Sequence, residues 1–194
     1  MTTPTATTPL TIVTVNGSPT SPSRTAVLLE ALAVEVASLT PSTIHRVEVS
    51  ALTGLPLAAT RDALPARTQD DLQRIETADL IIAGSPVYKG SYTGIFKYLF
   101  DFVDQYALVD VPAILVATGG SERHTLVIEH QLRPLFSFFQ AATSALGVYA
   151  HTSEFDKYEI TNPALRARVS RAADRAVASI VPNTTLRELN PAAL

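Results

Sequence analysis

The chain has 194 residues, of which 46% are hydrophobic and 17% charged; this composition excludes a disordered protein and suits one domain with a substantial core. The net charge of -3 offers no basic surface, so nucleic acid is not expected as a partner. Because there is no cysteine, disulfides, thiolate catalysis and zinc–thiolate sites are excluded, and the cytoplasm is the expected location.

The two ends of the chain are expected to lie outside the folded domain. Residues 1–9 are rich in threonine and proline and lack the basic start and apolar core of a signal peptide, which predicts a disordered leader. The domain is predicted over residues 10–182 and a C-terminal tail over residues 183–194. No apolar run approaches the roughly 20 residues that span a membrane, so no membrane partner is expected.

Apolar runs alternate with helical patterns along the domain. The predicted strands are Leu10–Asn16, Ile44–Val49, Asp79–Ser85, Val111–Thr118 and Ala145–Ala150. The predicted helices are Ser23–Leu39, Ala66–Thr77, Ser91–Val103, Glu122–Thr143 and Pro163–Val181. This alternation predicts an α/β fold with a flavodoxin-like five-stranded parallel sheet, in the order 2-1-3-4-5, and helices on both faces. Ligands of such sheets bind beyond the carboxyl ends of the strands.

The loop after the first predicted strand has the sequence GSPTSPSRT. A helix N-terminus offers unpaired N–H groups and a positive dipole end, to which Ser18, Ser23 and Thr25 add hydroxyl donors and Arg24 a charge. The loop lacks the second glycine and the lysine of a P-loop and the three glycines of the dinucleotide fingerprint. It therefore suits a compact monophosphate, although a plain helix cap at Ser21 or Ser23 would also explain its serines.

The loops after the third and fourth predicted strands suit a flat ring. SPVYKGSYTG carries Tyr88 and Tyr92, which can line a planar aromatic ligand or simply pack on the domain edge. TGGS exposes the N–H groups of Gly119 and Gly120 and leaves room for a ring, or is only a flexible turn. Together the three loops form one crevice, which fits a ligand with one phosphate and a flat heteroaromatic ring, namely FMN.

Three segments, GSPTSPSRT, SPVYKGSYTGIFKYLFD and ATGGSERHTLVIEHQLRPLF, resemble the NAD(P)H-dependent FMN reductases. Within that family they are most similar to the reductase component of two-component alkanesulfonate and methanesulfonate monooxygenase systems. The resemblance covers about Thr11 to Phe155. It implies FMN, NADPH or NADH as donor, a flavin-dependent monooxygenase as recipient of the reduced FMN in sulfonate metabolism, and a homodimer or homotetramer.

The resemblance also assigns FMN contacts by position. The residues expected at the phosphate are Ser18, Thr20, Ser23, Arg24 and Thr25. The residues expected at the isoalloxazine ring are Pro86, Val87, Tyr88 and Lys89 on one edge and Thr118, Gly119, Gly120 and His124 on the other. Many members of the family carry arginine at the position of Thr20, so either phosphate binding is weaker in this chain or Arg24 compensates.

The predicted helix Glu122–Thr143 carries apolar residues around too much of its circumference for one core-facing stripe. This distribution predicts a subunit interface; the alternative is a helix deeply buried within one chain. Pro134 is expected to kink the helix. In some sulfonate-system reductases a tyrosine inserted at the position of His130 forms a π-bulge at the tetramer interface, and the sequence leaves open whether His130 retains it.

No residue of this chain is expected to act as an essential acid or base, because hydride passes from the nicotinamide to the flavin and the protein only stacks and orients the rings. His124 and His130 are six residues apart, which does not suit a shared metal ion. Arg123 or Lys89 is a candidate for contact with the 2′-phosphate of NADPH.

Two other functions are compatible with the same crevice. One is an enzyme that keeps FMN bound and reduces a quinone, an azo dye or chromate. The other is a flavodoxin-like electron carrier or flavin store without enzymatic activity, against which the small net charge and the apolar predicted helix Glu122–Thr143 both count.

Overall fold

A parallel sheet organises the chain in the computed structural model, which describes residues 9–53 and 57–189. The strands of the sheet are β1 (Leu10–Asn16), β2 (Ser42–Glu48), β3 (Leu80–Pro86), β4 (Pro112–Gly119), β5 (Ala142–Thr143) and β6 (Val148–His151). Their order is β2-β1-β3-β4-β5, and β6 also pairs with β4. All of these pairs are parallel. The predicted flavodoxin-like fold and strand order are confirmed.

Helices cover both faces of the sheet. They are α1 (Arg24–Leu39), α2 (Ala66–Glu76), α3 (Gly94–Phe100), α4 (Arg133–Phe138) and α5 (Pro163–Leu189). Alternate residues of β1 point to opposite faces, so Ile12 packs with α1 and α5 while Val13 packs with α2, α3 and α4. The central strands β1, β3 and β4 are buried on both faces and have mainly apolar sequences, whereas the edge strand β2 carries polar residues.

A small hairpin lies between the sheet and the last helix. Its strands β7 (Phe155–Asp156) and β8 (Glu159–Ile160) pair with each other in antiparallel orientation. Phe155 is buried in the core beneath α1 and α5, and Ile160 packs against the same core. The hairpin follows β6 directly, so it stands at the carboxyl end of the sheet.

The predicted single helix Glu122–Thr143 is wrong. The segment begins with a 3-10 turn at Glu122–His124, continues as a π-helix at Ile128–Leu132 and ends as α4. Pro134 is the second residue of α4, which follows the π-helix directly, and the kink expected at this proline stays a prediction. His130 lies inside the π-helix.

The predicted fifth strand, Ala145–Ala150, is found as β6, which begins three residues later, and a further short strand, β5, pairs with β4 inside the segment that was predicted as helix. The chain between them passes under the π-helix. A Cβ atom on Gly147 would stand 2.6 Å from Cγ2 of Ile128, so the π-helix lies directly against the break between the two strands.

The predicted ends of the domain are only partly described. Residues 1–8 and 190–194, which hold most of the predicted leader and the end of the predicted tail, lie outside the described residues. Inside the described residues, helix α5 continues past its predicted end at Val181 and ends at Leu189. Of the helices in the described residues, none combines the length and the apolar character that a membrane crossing requires.

Candidate functional site

The loop between β1 and α1 folds around the buried side chain of Asn16. The Asn16 Oδ1 atom accepts a hydrogen bond from the backbone N–H of Ser18 at 3.1 Å, and Nδ2 donates to Ser23 Oγ at 3.2 Å. Nδ2 also donates to Oε2 of Glu48 at 2.6 Å. One amide therefore holds both ends of the predicted phosphate loop. The prediction missed Asn16, although a polar residue ending the apolar run LTIVTVN was a signal for it.

The Glu48 carboxyl lies behind this amide at the end of β2. Its burial raises the pKa of Glu48, while the hydrogen bond from Asn16 opposes that rise. Within the described residues, the hydrogen bond from Asn16 connects this carboxyl to the loop.

Ser23 caps helix α1, as the plainer interpretation of the loop predicted. Its Oγ accepts from the N–H of Ala26 at 3.1 Å and from Asn16. Within the described residues the Ser23 hydroxyl only accepts, so its own proton is available to an anion. The cap and an anion contact are therefore compatible at Ser23.

The Arg24 side chain is the clearest indication that the loop suits an anion. Its Nε atom is buried and has no hydrogen-bond partner among the described residues. A buried charged donor without a partner is costly, and an anion at the N-terminus of α1 would supply one. This arginine thus fits the phosphate of FMN.

The loop after β3 is tied to both neighbouring loops. The N–H of Val87 donates to the carbonyl of Thr118 at 2.8 Å, and the hydroxyl of Thr93 donates to the carbonyl of Gly17 at 2.6 Å. The hydroxyl of Ser91 also donates to Oε1 of Gln131, in the π-helix, at 3.0 Å. The position of the aromatic loop therefore depends on β1, β4 and the π-helix together.

The tip of this loop is a tight turn that leaves a tyrosine ring exposed. Tyr88 and Ser91 pair across the turn, in which Lys89 has a φ of 52° and Gly90 a φ of 83°. The Tyr88 side chain is 52% exposed. An exposed ring on a fixed turn at the mouth of the sheet can stack against a planar ligand.

The Gly-Gly loop after β4 is held from below by Tyr149 of β6. The Tyr149 hydroxyl donates to the carbonyl of Ser121 at 2.6 Å, and burial raises the pKa of this hydroxyl, so it remains a neutral donor. A Cβ atom on Gly119 would lie 2.6 Å from Tyr149 Oη, whereas one on Gly120 would find its nearest neighbour, Oγ1 of Thr152, at 3.8 Å. A side chain at Gly119 would therefore have to displace the Tyr149 hydroxyl, whereas one at Gly120 would make only ordinary contact.

The three loops line one cavity of about 290 Å³, at the lower end of the range for small-molecule sites. The predicted residues that line it are Ser18, Thr20, Ser23, Arg24, Thr25, Pro86, Val87, Tyr88, Thr118, Gly119 and Gly120. Lys89 and His124 are not among its described lining residues, and their contact with a ring stays a prediction. Lys89 is exposed at the turn, and His124 ends the 3-10 turn Glu122–His124.

Three lining residues escaped prediction: Pro22, Thr152 and Tyr158. Thr152 and Tyr158 follow β6, the last strand of the sheet. The rule that ligands bind after strand ends would have pointed to them had it been applied to the fifth predicted strand as well. Among the described lining residues Arg24 alone carries a permanent charge, so the cavity suits an anionic rather than a cationic ligand.

This fold, with its cavity at the carboxyl ends of β1, β3 and β4, places the protein in the flavodoxin-like class of α/β proteins. The family model described as NADPH-dependent FMN reductase matches residues 10–155, and the chain belongs to that family. The resemblance inferred from the three loop segments is thereby confirmed.

Individual relatives extend over nearly the whole chain. The NADH-dependent FMN reductase SfnF of Pseudomonas fluorescens is 50% identical over 169 residues, which are 87% of this chain and 90% of that protein. The FMN reductase (NADPH) of Pseudomonas aeruginosa is 49% identical, over 88% of this chain and 92% of its own. The apo form of the NADH:FMN oxidoreductase EMOB has a TM-score of 0.79 at 28% identity, covering 88% of this chain and 89% of its own.

Proposed function

We propose that this protein is an NAD(P)H-dependent FMN reductase that binds FMN in the cavity at the strand ends. The observation that carries the proposal is the buried, unpartnered Nε of Arg24 at the N-terminus of α1, in the same cavity as the exposed ring of Tyr88. A phosphate and a planar ring on one ligand would satisfy both features. Relatives about half identical in sequence are named FMN reductases, which supports the same assignment.

Different residues of the cavity would contact the phosphate and the ring of FMN. Ser18, Thr20, Ser23 and Thr25, with the N–H groups of α1, would surround the phosphate, and Arg24 would supply the opposite charge. Tyr88 and the backbone of the Gly-Gly loop would hold the ring. FMN, when bound, would accept a hydride from NADH or NADPH, and the protein would orient the ring and exclude water.

The proposal includes both NADH and NADPH as the hydride donor. Relatives of nearly equal identity are named for one or for the other, so identity alone favours neither. Arg123, exposed in the turn after β4, is the proposed contact for a 2′-phosphate. If Arg123→Ala leaves the ratio of kcat/KM for NADPH and NADH unchanged, Arg123 has no such role.

The reduced FMN is proposed to leave for a partner monooxygenase in organosulfur metabolism. The segments PVYKGSYTG and TGGSERH, with the later LRP, support this step because they resemble the reductases of sulfonate monooxygenase systems. The cytoplasm is the proposed setting, since NADH and NADPH are supplied there.

A homodimer or homotetramer is proposed through the surface formed by the π-helix and α4. Leu126, just before the π-helix, is 59% exposed, and Phe138, the last residue of α4, is 63% exposed. His130 is also exposed, within the π-helix. Large apolar side chains exposed on one segment favour contact with a second subunit.

The decisive experiment is the rate of NADPH and NADH oxidation by desalted protein as FMN is added from zero. A rate near zero without FMN that saturates with FMN supports a reductase with diffusible flavin. A yellow protein that reduces a quinone rapidly, at a rate that does not depend on added FMN, would instead identify a bound-flavin reductase. The proposed transfer of reduced FMN to a monooxygenase would then be wrong. If neither NADH nor NADPH is oxidised at any FMN concentration, the enzymatic function is contradicted, and an electron carrier or a flavin store remains as the alternative.

A further inference from the structure

The hairpin β7–β8 brings a tyrosine into the cavity from a part of the chain far from the phosphate loop. Asp156 pairs with Glu159, so Lys157 and Tyr158 form a two-residue tip. Lys157 has a φ of 51°, in the left-handed region that is unfavourable for a residue with a side chain. Tyr158 lines the cavity and remains 47% exposed.

The base of the hairpin is held firmly, so the position of the tip is set by the fold. The Glu154 carboxylate accepts a hydrogen bond from the N–H of His151 at 2.9 Å and from Nη2 of Arg168 at 2.8 Å. The carbonyl of Glu154 accepts from the N–H of Thr161 at 3.1 Å, on the far side of the hairpin. Phe155 anchors the same base in the core.

The side chain of Tyr158 makes no hydrogen bond and no aromatic contact in the described part of the chain. Neither a hydrogen bond of its hydroxyl nor a contact of its ring with another aromatic ring occurs there. Its hydroxyl is therefore an available donor beside a cavity that is also lined by Arg24, whose buried Nε has no partner among the described residues.

The hairpin packs beside α1, the helix whose N-terminus would hold the phosphate. Ile160 of β8 and Val27 of α1 line one groove, so the hairpin runs beside the first turns of α1. Tyr158 directly precedes β8, Arg24 is the first residue of α1, and both line the cavity. The tip of the hairpin and the N-terminus of α1 therefore border the same cavity.

Building on the proposed FMN site, we propose that the hydroxyl of Tyr158 donates a hydrogen bond to the FMN phosphate and selects FMN over riboflavin. Ser18, Thr20, Ser23 and Thr25 all belong to the loop and the first turn of α1, and therefore surround the phosphate from one side. Tyr158 supplies a donor from a separate element and completes the enclosure. A phenol suits this task because it donates without adding a second formal charge to the site.

The test compares Tyr158→Phe with the matched control Tyr106→Phe in the full chain. Tyr106 is also about half exposed, but it is not among the described residues that line the cavity. Dissociation constants for FMN and for riboflavin, which lacks the phosphate, are measured by flavin fluorescence. Tyr158→Phe is expected to weaken FMN binding about tenfold, as for loss of a hydrogen bond to a charged group, and to leave riboflavin binding unchanged. Tyr106→Phe should change neither.

Two results would overturn the role of Tyr158: unchanged FMN affinity in Tyr158→Phe, or an equal loss for FMN and riboflavin. The Arg24→Ala variant separates this failure from that of the FMN site. If Arg24→Ala weakens FMN binding and Tyr158→Phe does not, the phosphate site stands and only Tyr158 is excluded. If the native protein does not bind FMN more tightly than riboflavin, the proposed FMN site itself is wrong, and the role of Tyr158 with it.

Discussion

The hydroxyl oxygens of Thr25 and Thr118 lie 2.7 Å apart, although 93 residues separate them in the chain. Thr25 is in the first turn of α1 and Thr118 is near the end of β4, and both are buried. This hydrogen bond fixes the N-terminus of the helix against the Gly-Gly loop. The two ends of the proposed FMN site are thereby held at one spacing before any ligand binds.

Replacing either threonine by valine should leave the other hydroxyl buried without its partner. We expect each single variant to lower the free energy of unfolding by about 1–3 kcal/mol. The double variant should cost less than the sum, because it leaves neither hydroxyl unpaired. Urea denaturation of the four proteins measures this coupling, and strictly additive costs would show that the hydrogen bond contributes nothing.

Gly119 is predicted to be intolerant of alanine because of Tyr149. Gly119→Ala should destabilise the protein by about 1–3 kcal/mol, since its Cβ would stand 2.6 Å from Tyr149 Oη. In a Tyr149→Phe background the nearest remaining atom, Cζ, is 3.4 Å away, so the cost of the alanine should shrink. Thermal unfolding of the four proteins measures this, and an unchanged cost would remove Tyr149 as the cause.

Gly120→Ala is the matched control for stability and a test of the ring site. Its Cβ would find only ordinary contact, at 3.8 Å from Thr152 Oγ1, so the melting temperature should be kept. If the flavin ring lies against this backbone, the added methyl group should nevertheless weaken FMN binding. Unchanged affinity for FMN would place the ring elsewhere in the cavity.

Glu48 should make the protein less stable as the pH rises. Burial raises the pKa of Glu48 above its ordinary value of 4.5, so the folded state binds more protons than the unfolded state between the two values. The free energy of unfolding therefore falls as pH rises through that window and then levels off. Glu48→Gln retains an oxygen that can accept from Asn16 but does not titrate.

The measurement is the difference in unfolding free energy between Glu48→Gln and the native protein as a function of pH. This difference should grow in favour of the glutamine variant from about pH 4.5 upward and reach a plateau above the raised pKa. A constant difference across this range would show that Glu48 titrates alike in the folded and unfolded states.

The exposed apolar residues Leu126 and Phe138, beside the π-helix, are predicted to lie in the interface between subunits. Phe138→Glu and Leu126→Glu should shift the proposed dimer or tetramer toward smaller species, because a charge would be buried in the interface. Val34→Glu is the control, since Val34 is 52% exposed on α1, on the opposite face of the sheet. Light scattering after gel filtration measures the mass. An unchanged mass in both interface variants would exclude this surface.

The carboxyl-end crevice was predictable because its signals are local. Buried parallel strands require continuous apolar runs, and the run Leu10–Asn16 has the predicted bounds in the structure. A chain that alternates such strands with helices has few possible topologies, so the loops after β1, β3 and β4 had to meet. Residue types in these loops then suggested a phosphate and a ring.

What the sequence by itself determined, then, was the order of the sheet, the family and the loops at its edge, since the strands, helices and loop motifs are local patterns and their alternation leaves few topologies. The tertiary structure alone decided the contacts between distant segments: Asn16 with Glu48, Tyr149 beneath Gly119, and Tyr158 in the cavity. The break of the predicted long helix into a π-helix and α4 belongs to the same class, because the π-helix packs on Gly147 of a later segment. Such contacts depend on packing in space, which periodicity along the chain does not record.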